Sequence, residues 1–501
     1  MDLLSDLLLG AQTAFSFWNL AYCLLGVFLG TAIGVLPGLG PTATIAMLLP
    51  VTFGLPPETA LIMLAGIFYG AQYGGSTTAI LVNLPGESSS VVTALDGYQM
   101  ARKGQAGKAL ATAAIGSFIA GSIATVLIAF FAPMLSNVAL AFGPHEYFSL
   151  MVLGLVASVV LASGSLLHAI GMILVGLILG LIGTDTNSGE MRFTFGMFEL
   201  ADGISFVIVA MGVFGLGEIL SNLENENDRS TVMAKITGLM PTRDDCRRMM
   251  APVLRGTAIG SVLGILPGGG AMLASFAAYA LEKKVSKHPE EFGKGAIEGV
   301  AGPESANNAG AQTSFIPMLT LGIPSNPVMA LMIGALIMQG IQPGPSVIQE
   351  QPVLFWGLIV SMWVGNLMLL VLNLPLIGLW VKMISIPYRY LYPCIVAFCL
   401  IGVFSLNNAT FDIWLMGLFG IAGYLLRKLD CEPAPLLLGF VLGPMLEEHL
   451  RRAMLVSKGD ATTFLTQPIS AVLLVLALLL LASVIAPSVR AKREEAFQEE
   501  E

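Results

Sequence analysis

Long apolar stretches recur along this chain. Ala109 to Phe131, Tyr147 to Ala162, Leu166 to Ile182, Val353 to Leu374 and Ile469 to Ile485 are the clearest. A helix crossing a bilayer needs about 20 mainly apolar residues, and barrel strands would alternate with period two instead. The runs are unalternating, so spanning helices are expected. Only 11% of the 501 residues are charged, against 55% hydrophobic. A soluble fold carries roughly 25% charged residues, so this chain lacks the polar surface to coat one of its size. The pattern predicts an all-α polytopic membrane protein with about 10–12 membrane segments.

The net charge of −9 resides in short loops and in the tail EEAFQEEE, and no basic run points to nucleic acid. Cys23, Cys246, Cys394, Cys399 and Cys431 form no CxxC pair, and the four histidines are scattered, so no metal site is expected. The first residues, MDLLSDLLLG, lack a positive n-region, so the first spanning helix is expected to direct insertion.

Internal similarity is the most informative feature. Gly26 to Gly40 reads GVFLGTAIGVLPGLG and Gly256 to Gly270 reads GTAIGSVLGILPGGG, both GxxxGxxxGxLPGxG at an offset of 230. Gly70-Ala71-Gln72 and Gly310-Ala311-Gln312 open a second pair of matching segments, with Pro85 and Pro324 at nearly equivalent places. A weaker match pairs GVFGLGEILSNL from Gly212 with GFVLGPMLEEHL from Gly439. The chain therefore divides into a first repeat over 1–221, a connector over 222–250, a second repeat over 251–450, and a last helix with a charged tail over 451–501.

Positive charge sets the orientation expected of the halves. The loop holding Arg102, Lys103 and Lys108 corresponds to GIQPGPSVIQEQP, which has no Lys or Arg; VTFGLPPET has none, while its partner LEKKVSKHPEEFGK has four lysines. Lys and Arg collect in cytoplasmic loops, so the repeats are expected to be inverted, as in many secondary transporters. Arg451, Arg452 and Lys458 run against this, since inversion places them outside.

Both halves should break at LPGxG, giving broken or re-entrant helices. Interrupted backbone in a bilayer must line protein or a watery cavity, and the free N–H groups of a new helix suit an anion. Gly38, Gly40 and Thr42 in the first copy, and Gly268, Gly269 and Gly270 in the second, are the candidate residues there. Polar groups of the GAQ segments form the second element of the expected site: Gln72, Gly74, Gly75, Ser76, Thr77, Thr78 and Asn83, then Glu304, Asn307, Asn308, Gln312, Thr313 and Ser314. Their amides and hydroxyls can donate to carboxylates or coordinate Na⁺. Gly26, Gly30, Gly34, Gly256, Gly260 and Gly264 read more simply as helix-packing positions. Glu304 reads either as an intramembrane acid that binds a cation or carries a proton, or as a loop residue near the surface. No Lys or Arg falls among the candidates, so an arginine clamp is not expected.

The segments GVLPGLGPTATIAMLLP, YGAQYGGSTTAILVNLPG, SSVVTALDGYQMARKGQAGKAL, GPESANNAGAQTSFIPMLTLGIP and LLLGFVLGPMLEEHLRRA together resemble the TctA family, the large membrane subunit of tripartite tricarboxylate transporters. The resemblance covers nearly the whole chain. It implies a multi-pass protein of the bacterial inner membrane that imports small carboxylates. It also implies partnership with a small four-helix membrane subunit and a periplasmic solute-binding protein, and coupling to Na⁺ or H⁺, with no other cofactor. The residue after LPG differs between the copies, Leu39 against Gly269, so the breaks need not act alike. A passive channel or the membrane subunit of an ATP-driven system is the alternative; the chain carries no GxxxxGK[ST] loop and no HExxH.

Overall fold

The computed structural model describes residues 3–36, 40–84, 86–140, 142–161, 165–185, 188–224, 238–266, 270–384 and 388–485. They form an all-α membrane protein, with a two-stranded hairpin pairing Gly183–Thr184 with Met191–Arg192 as the described sheet. In chain order the main helices are α1 (Leu3–Ala14), α2 (Phe17–Gly34), α3 (Pro41–Thr52), α4 (Pro57–Val82), α5 (Val91–Met100), α6 (Ala106–Ala139), α7 (Pro144–Leu161), α8 (Leu166–Gly180) and α9 (206–224). There follow α10 (Arg243–Leu263), α11 (Gly270–Val285), α12 (Glu298–Thr313), α13 (Phe315–Leu321), α14 (Pro327–Met338), α15 (Pro352–Asn373), α16 (Ile377–Ile384), α17 (Tyr388–Asn407), α18 (Thr410–Lys428), α19 (Pro433–Val456) and α20 (Pro468–Ile485). Proline stands at the first position of α3, α4, α14, α15 and α19, where its missing N–H costs nothing. By length and apolar character Phe17–Gly34, Ser88–Ala139, Phe206–Glu224 and Pro352–Asn373 are long enough to cross a membrane. Other apolar helices are shorter, among them Pro41–Thr52, Leu166–Gly180 and Pro327–Met338.

The GxxxGxxxG runs make seams between parallel helices. A Cβ at Gly26, Gly30 or Gly34 of α2 would stand 2.4, 2.2 and 2.6 Å from the carbonyl oxygens of Met63, Ile67 and Ala71 on α4. At Gly256, Gly260 and Gly264 of α10 it would stand 2.2, 2.2 and 2.5 Å from those of Gly302, Ala306 and Gly310. Both sets ascend together, so α2 runs alongside α4, and α10 alongside α12, in the same direction. The packing reading of these six glycines holds. Gly260→Leu is expected to lower stability by more than the roughly 1–3 kcal/mol of ordinary overpacking, because the obstruction is backbone. Thermal unfolding of the purified protein checks it, with Gly54→Leu, where a side chain meets nothing within 4 Å, as control.

Since α3 returns to the start of α4 through a short turn, α2 and α3 form a hairpin, and α10 and α11 form another. Their open ends face opposite ways. At one end of the bundle Lys103 donates to the Lys294 carbonyl, and Lys108 pairs with Asp245 at 2.9 Å. There too Arg248 holds Glu298 and Glu291 at 2.8 and 3.0 Å. The second hairpin opens here. The first opens at the other end, where Gln339 Nε2 reaches the Thr52 carbonyl and Ser136 Oγ that of Pro345. Burial raises the Asp245 carboxyl, but hydrogen bonds from Thr242 and Lys108 outweigh it and hold it below the usual aspartate range. Its stabilising contribution is thus present at neutral pH and lost only as pH falls through that lowered range.

Helices from the two halves then cross over. Gly176 and Gly180 of α8 lie against the Leu436 and Phe440 carbonyls of α19, while Gly423 of α18 lies against Val213 of α9. Among the largest fully buried side chains of the core are Phe68, Phe315, Phe355 and Trp380.

Candidate functional site

Helix α2 ends at Gly34 and α10 at Leu263, about a turn before each LPG proline, because a proline and the residue before it resist helical continuation. Gly38, Gly268 and Gly269 lie outside the described residues. Gly40 and Gly270 frame the outgoing helices. A Cβ on Gly86 would come 2.4 Å from Gly75 Cα and 2.9 Å from the Gly34 carbonyl oxygen, and Gly40 faces the Gly86 carbonyl. The first hairpin tip and the interruption between α4 and α5 therefore touch. The second tip is built alike. Ser314 Oγ donates to the Gly264 carbonyl at 3.4 Å, Asn326 Nδ2 donates to Ser314 Oγ at 3.1 Å, and Ser325 Oγ reaches the Ser314 carbonyl. Gly270 packs on Gly264.

The start of α3 already has an anion. The backbone N–H of Gly40 and the guanidinium of Arg427, 3.3 Å away, hold the carboxylate of Glu218 on α9. The helix start expected to face an anion thus has an acidic side chain of the chain itself beside it, and Arg427 pairs with that side chain. Both partners come from helices far along the chain, which local spacing does not reveal. Thr42 sits half-buried in the first turn of α3.

Beside the first tip lies a cluster of buried polar side chains. Glu304 is 1% exposed, on the second turn of α12, so the surface-loop reading is overturned. Its carboxylate accepts from Ser76 Oγ at 2.9 and 2.8 Å, from Thr93 Oγ1 on α5, and from Ser117 Oγ on α6 at 3.5 Å. Asn308 Nδ2 donates to Ser117 Oγ at 2.7 Å and to the Glu304 carbonyl at 3.1 Å. Asn307 Nδ2 donates to Glu87 Oε1 at 2.9 Å, beside Gly75 and Gly86. Ser89 Oγ approaches Gln72 Oε1 at 3.5 Å. Gln312 Nε2 bonds Asn366 Oδ1 at 3.3 Å. Seven residues separate Asn307, by the first tip, from Ser314, at the second; along a helix this is ~10 Å.

Other candidates serve the backbone. The hydroxyls of Thr77, Thr78 and Thr313 bond the carbonyls four residues back at Tyr73, Gly74 and Ala309. Gly74 is a packing position, its missing Cβ 2.7 Å from the Thr31 carbonyl oxygen. Asn83 ends α4 in a left-handed conformation, φ 58°, and is exposed.

Beside Glu304 lies a cavity of about 10 Å³ lined by Tyr73, Ser76, Thr77, Leu110, Ala113, Ala114, Ser117 and Asn373. In this conformation it has room for one water, not a tricarboxylate. Sequence reasoning missed Tyr73, Glu87, Thr93, Ser117, Glu218 and Asn373. Tyr73, Thr93 and Glu218 lay inside quoted motif segments, Glu87 directly after one, and Ser117 and Asn373 in apolar runs; most of them join the cluster through contacts between distant segments.

A family model described as "Tripartite tricarboxylate transporter TctA family" matches residues 20–438. The chain belongs to the TctA family. A relative in Agrobacterium vitis, an uncharacterized 52.8 kDa protein in the TAR-I ttuC' 3' region, is 63% identical over 501 residues, all of both chains. A second from the same organism, an uncharacterized protein in the TAR-II ttuC' 3' region, is 65% identical over 242 residues, 48% of this chain and 100% of the relative. No solved structure matches. The TctA match makes the chain a membrane component of a transport system.

Proposed function

We propose that this TctA protein is the large membrane subunit of a binding-protein-dependent importer of small carboxylates. It sits in the bacterial inner membrane as a multi-pass protein, beside a small four-helix membrane subunit and a periplasmic solute-binding protein. A Na⁺ or H⁺ gradient drives it. Its repeats, 1–221 and 251–450, are inverted, with 222–250 as the cytoplasmic connector and 451–501 as a final helix and tail. The opposed openings of the two hairpins support inversion, and so does the lysine-rich end formed jointly by Lys103, Lys108 and Lys294.

The observation that carries the reading is the buried Glu304 cluster, which meets the first tip at Asn307 and continues along α12 to the second at Ser314. Buried carboxylates in a membrane protein mark ion and substrate pathways. Glu304 and Glu87 would repel an anionic cargo on their own, so a co-bound cation or proton balances them. Among the tip and cluster candidates, Gly40, Gly75, Ser76, Gly270, Asn307, Asn308, Gln312 and Ser314 best fit a transient carboxylate site, alternately exposed to the two sides.

Uptake of a labelled tricarboxylate into proteoliposomes holding both membrane subunits tests this. Flux is expected to require both the binding protein and an imposed Na⁺ or proton gradient. Flux with neither would favour a passive channel, and flux that requires ATP would favour an ATP-driven system. Orientation is read separately by single cysteines in whole cells. Positions 103 and 284 should react only with permeant reagents, and positions within 54–58 and 343–351 with impermeant ones. Impermeant labelling at 103 or 284 overturns inversion.

A further inference from the structure

We infer that the cavity beside Glu304 is a binding site for one dehydrated sodium ion, held by Glu304, Tyr73 and Asn373 with the hydroxyls of Ser76 and Ser117. The inference deepens the transport reading by assigning the coupling ion and its place, and it rests on that reading only in calling the ion a coupling ion.

Two buried polar atoms carry it. Tyr73 and Asn373 are each 4% exposed and line this cavity. Tyr73 Oη and Asn373 Oδ1 make no hydrogen bond among the described residues, although the Asn373 amide nitrogen is spent on the Leu369 carbonyl at 3.0 Å. A buried polar atom without a partner is destabilising, and few persist without a reason. Both atoms offer lone pairs, and so does the adjacent carboxylate.

Charge and size narrow the occupant. Glu304 is the one ionisable carboxylate among the lining residues, which balances a single positive charge. All the offered ligands are oxygens, suited to a hard cation rather than a soft metal. About 10 Å³ admits one water-sized body, which fits a bare sodium ion better than a larger one. A proton suits the site less well. The carboxylate already receives hydroxyls from Ser76, Thr93 and Ser117, and the single O–H of its protonated form can serve at most one of the two unpartnered oxygens, Tyr73 Oη and Asn373 Oδ1. The cavity draws its walls from α4, α6, α12 and α15, elements of both halves. An ion there would tie the halves together.

Binding of radioactive sodium to the purified full-length chain in detergent tests this, with no substrate, binding protein or gradient present. Thermal unfolding in NaCl against equimolar choline chloride is the second readout. Wild-type protein is expected to bind sodium saturably and to unfold at a higher temperature in NaCl. Tyr73→Phe keeps the ring and removes only an unpartnered hydroxyl, so it should unfold like wild type in choline yet bind sodium about 10-fold more weakly. Glu304→Gln should lose the sodium response. Three results overturn the site: equal behaviour of the wild type in the two salts, an undiminished response in both variants, or stabilisation that follows pH alone. Gradient-driven uptake without sodium binding would sink the site and leave the transport reading standing. Sodium binding without uptake would do the reverse.

Discussion

Ser76→Leu is expected to reduce carboxylate uptake by at least about 100-fold while leaving membrane insertion and yield intact. Ser76 Oγ donates to both oxygens of Glu304, and its Cβ borders the small cavity beside that carboxylate. Leucine removes the donor and fills the space. A hydrogen bond to a charged group is worth about 1.5–3 kcal/mol, and each 1.4 kcal/mol is roughly tenfold. Asn308→Leu attacks the same cluster from α12, since Asn308 positions Ser117. It is expected to act in the same direction. Initial uptake rates in proteoliposomes, normalised to protein that elutes as a single species, provide the measurement. Wild-type rates in both variants would remove this cluster from the transport path.

The second large effect is on folding. Asp96 is fully buried on α5 and accepts from the backbone N–H groups of Gly295 and Ala296 at 2.7 and 2.8 Å and from Tyr279 Oη at 2.9 Å. It thereby pins the segment leading into α12, the helix that carries Glu304. Gly299 leaves it room, because a Cβ there would stand 2.2 Å from Asp96 Oδ2. Asp96→Ala strands three donors, each about 1–3 kcal/mol when buried. A loss of about 3 kcal/mol or more is expected, read as a fall in the unfolding midpoint and in folded yield. Asp96→Asn, which still accepts through its amide oxygen, should fall between alanine and wild type. A midpoint unchanged in Asp96→Ala would show that the three donors find other partners.

Much of this architecture was legible in the sequence because its causes are local. Apolar runs announce helices, LPG announces an interruption, and glycine at every fourth position announces a close seam. Register was harder. The GAQ motifs suggest equivalence at 240 residues, whereas the carbonyls facing the two glycine runs pair Met63 with Gly302, Ile67 with Ala306 and Ala71 with Gly310, a separation of 239. Pro85 and Pro324 share that spacing. By packing, then, Tyr73 corresponds to Gln312 and Gly75 to Ser314. Three identical letters misled because the seam, not the motif, fixes the alignment. The cluster was half legible. Ser76, Glu304, Asn307 and Asn308 announce themselves as polar residues in apolar surroundings, but Thr93, Ser117, Asp96 and Glu218 gain their roles only from partners some 200 residues away.

The seams also bear on how two copies of one segment came to differ. At Gly26, Gly30, Gly34, Gly256, Gly260 and Gly264 a methyl group meets main chain, which no neighbouring substitution can trim. Those positions cannot drift in either copy. Divergence is left to the faces turned away from the seam, and there it has gone far. Where the second copy carries Glu304, Asn307 and Asn308, the first has Ala65, Phe68 and Tyr69 at the matching positions. One glycine seam is thus backed by an acidic, amide-bearing rod and the other by an aromatic wall. The same backbone frame can therefore carry opposite side-chain chemistries on the faces that the seam leaves free.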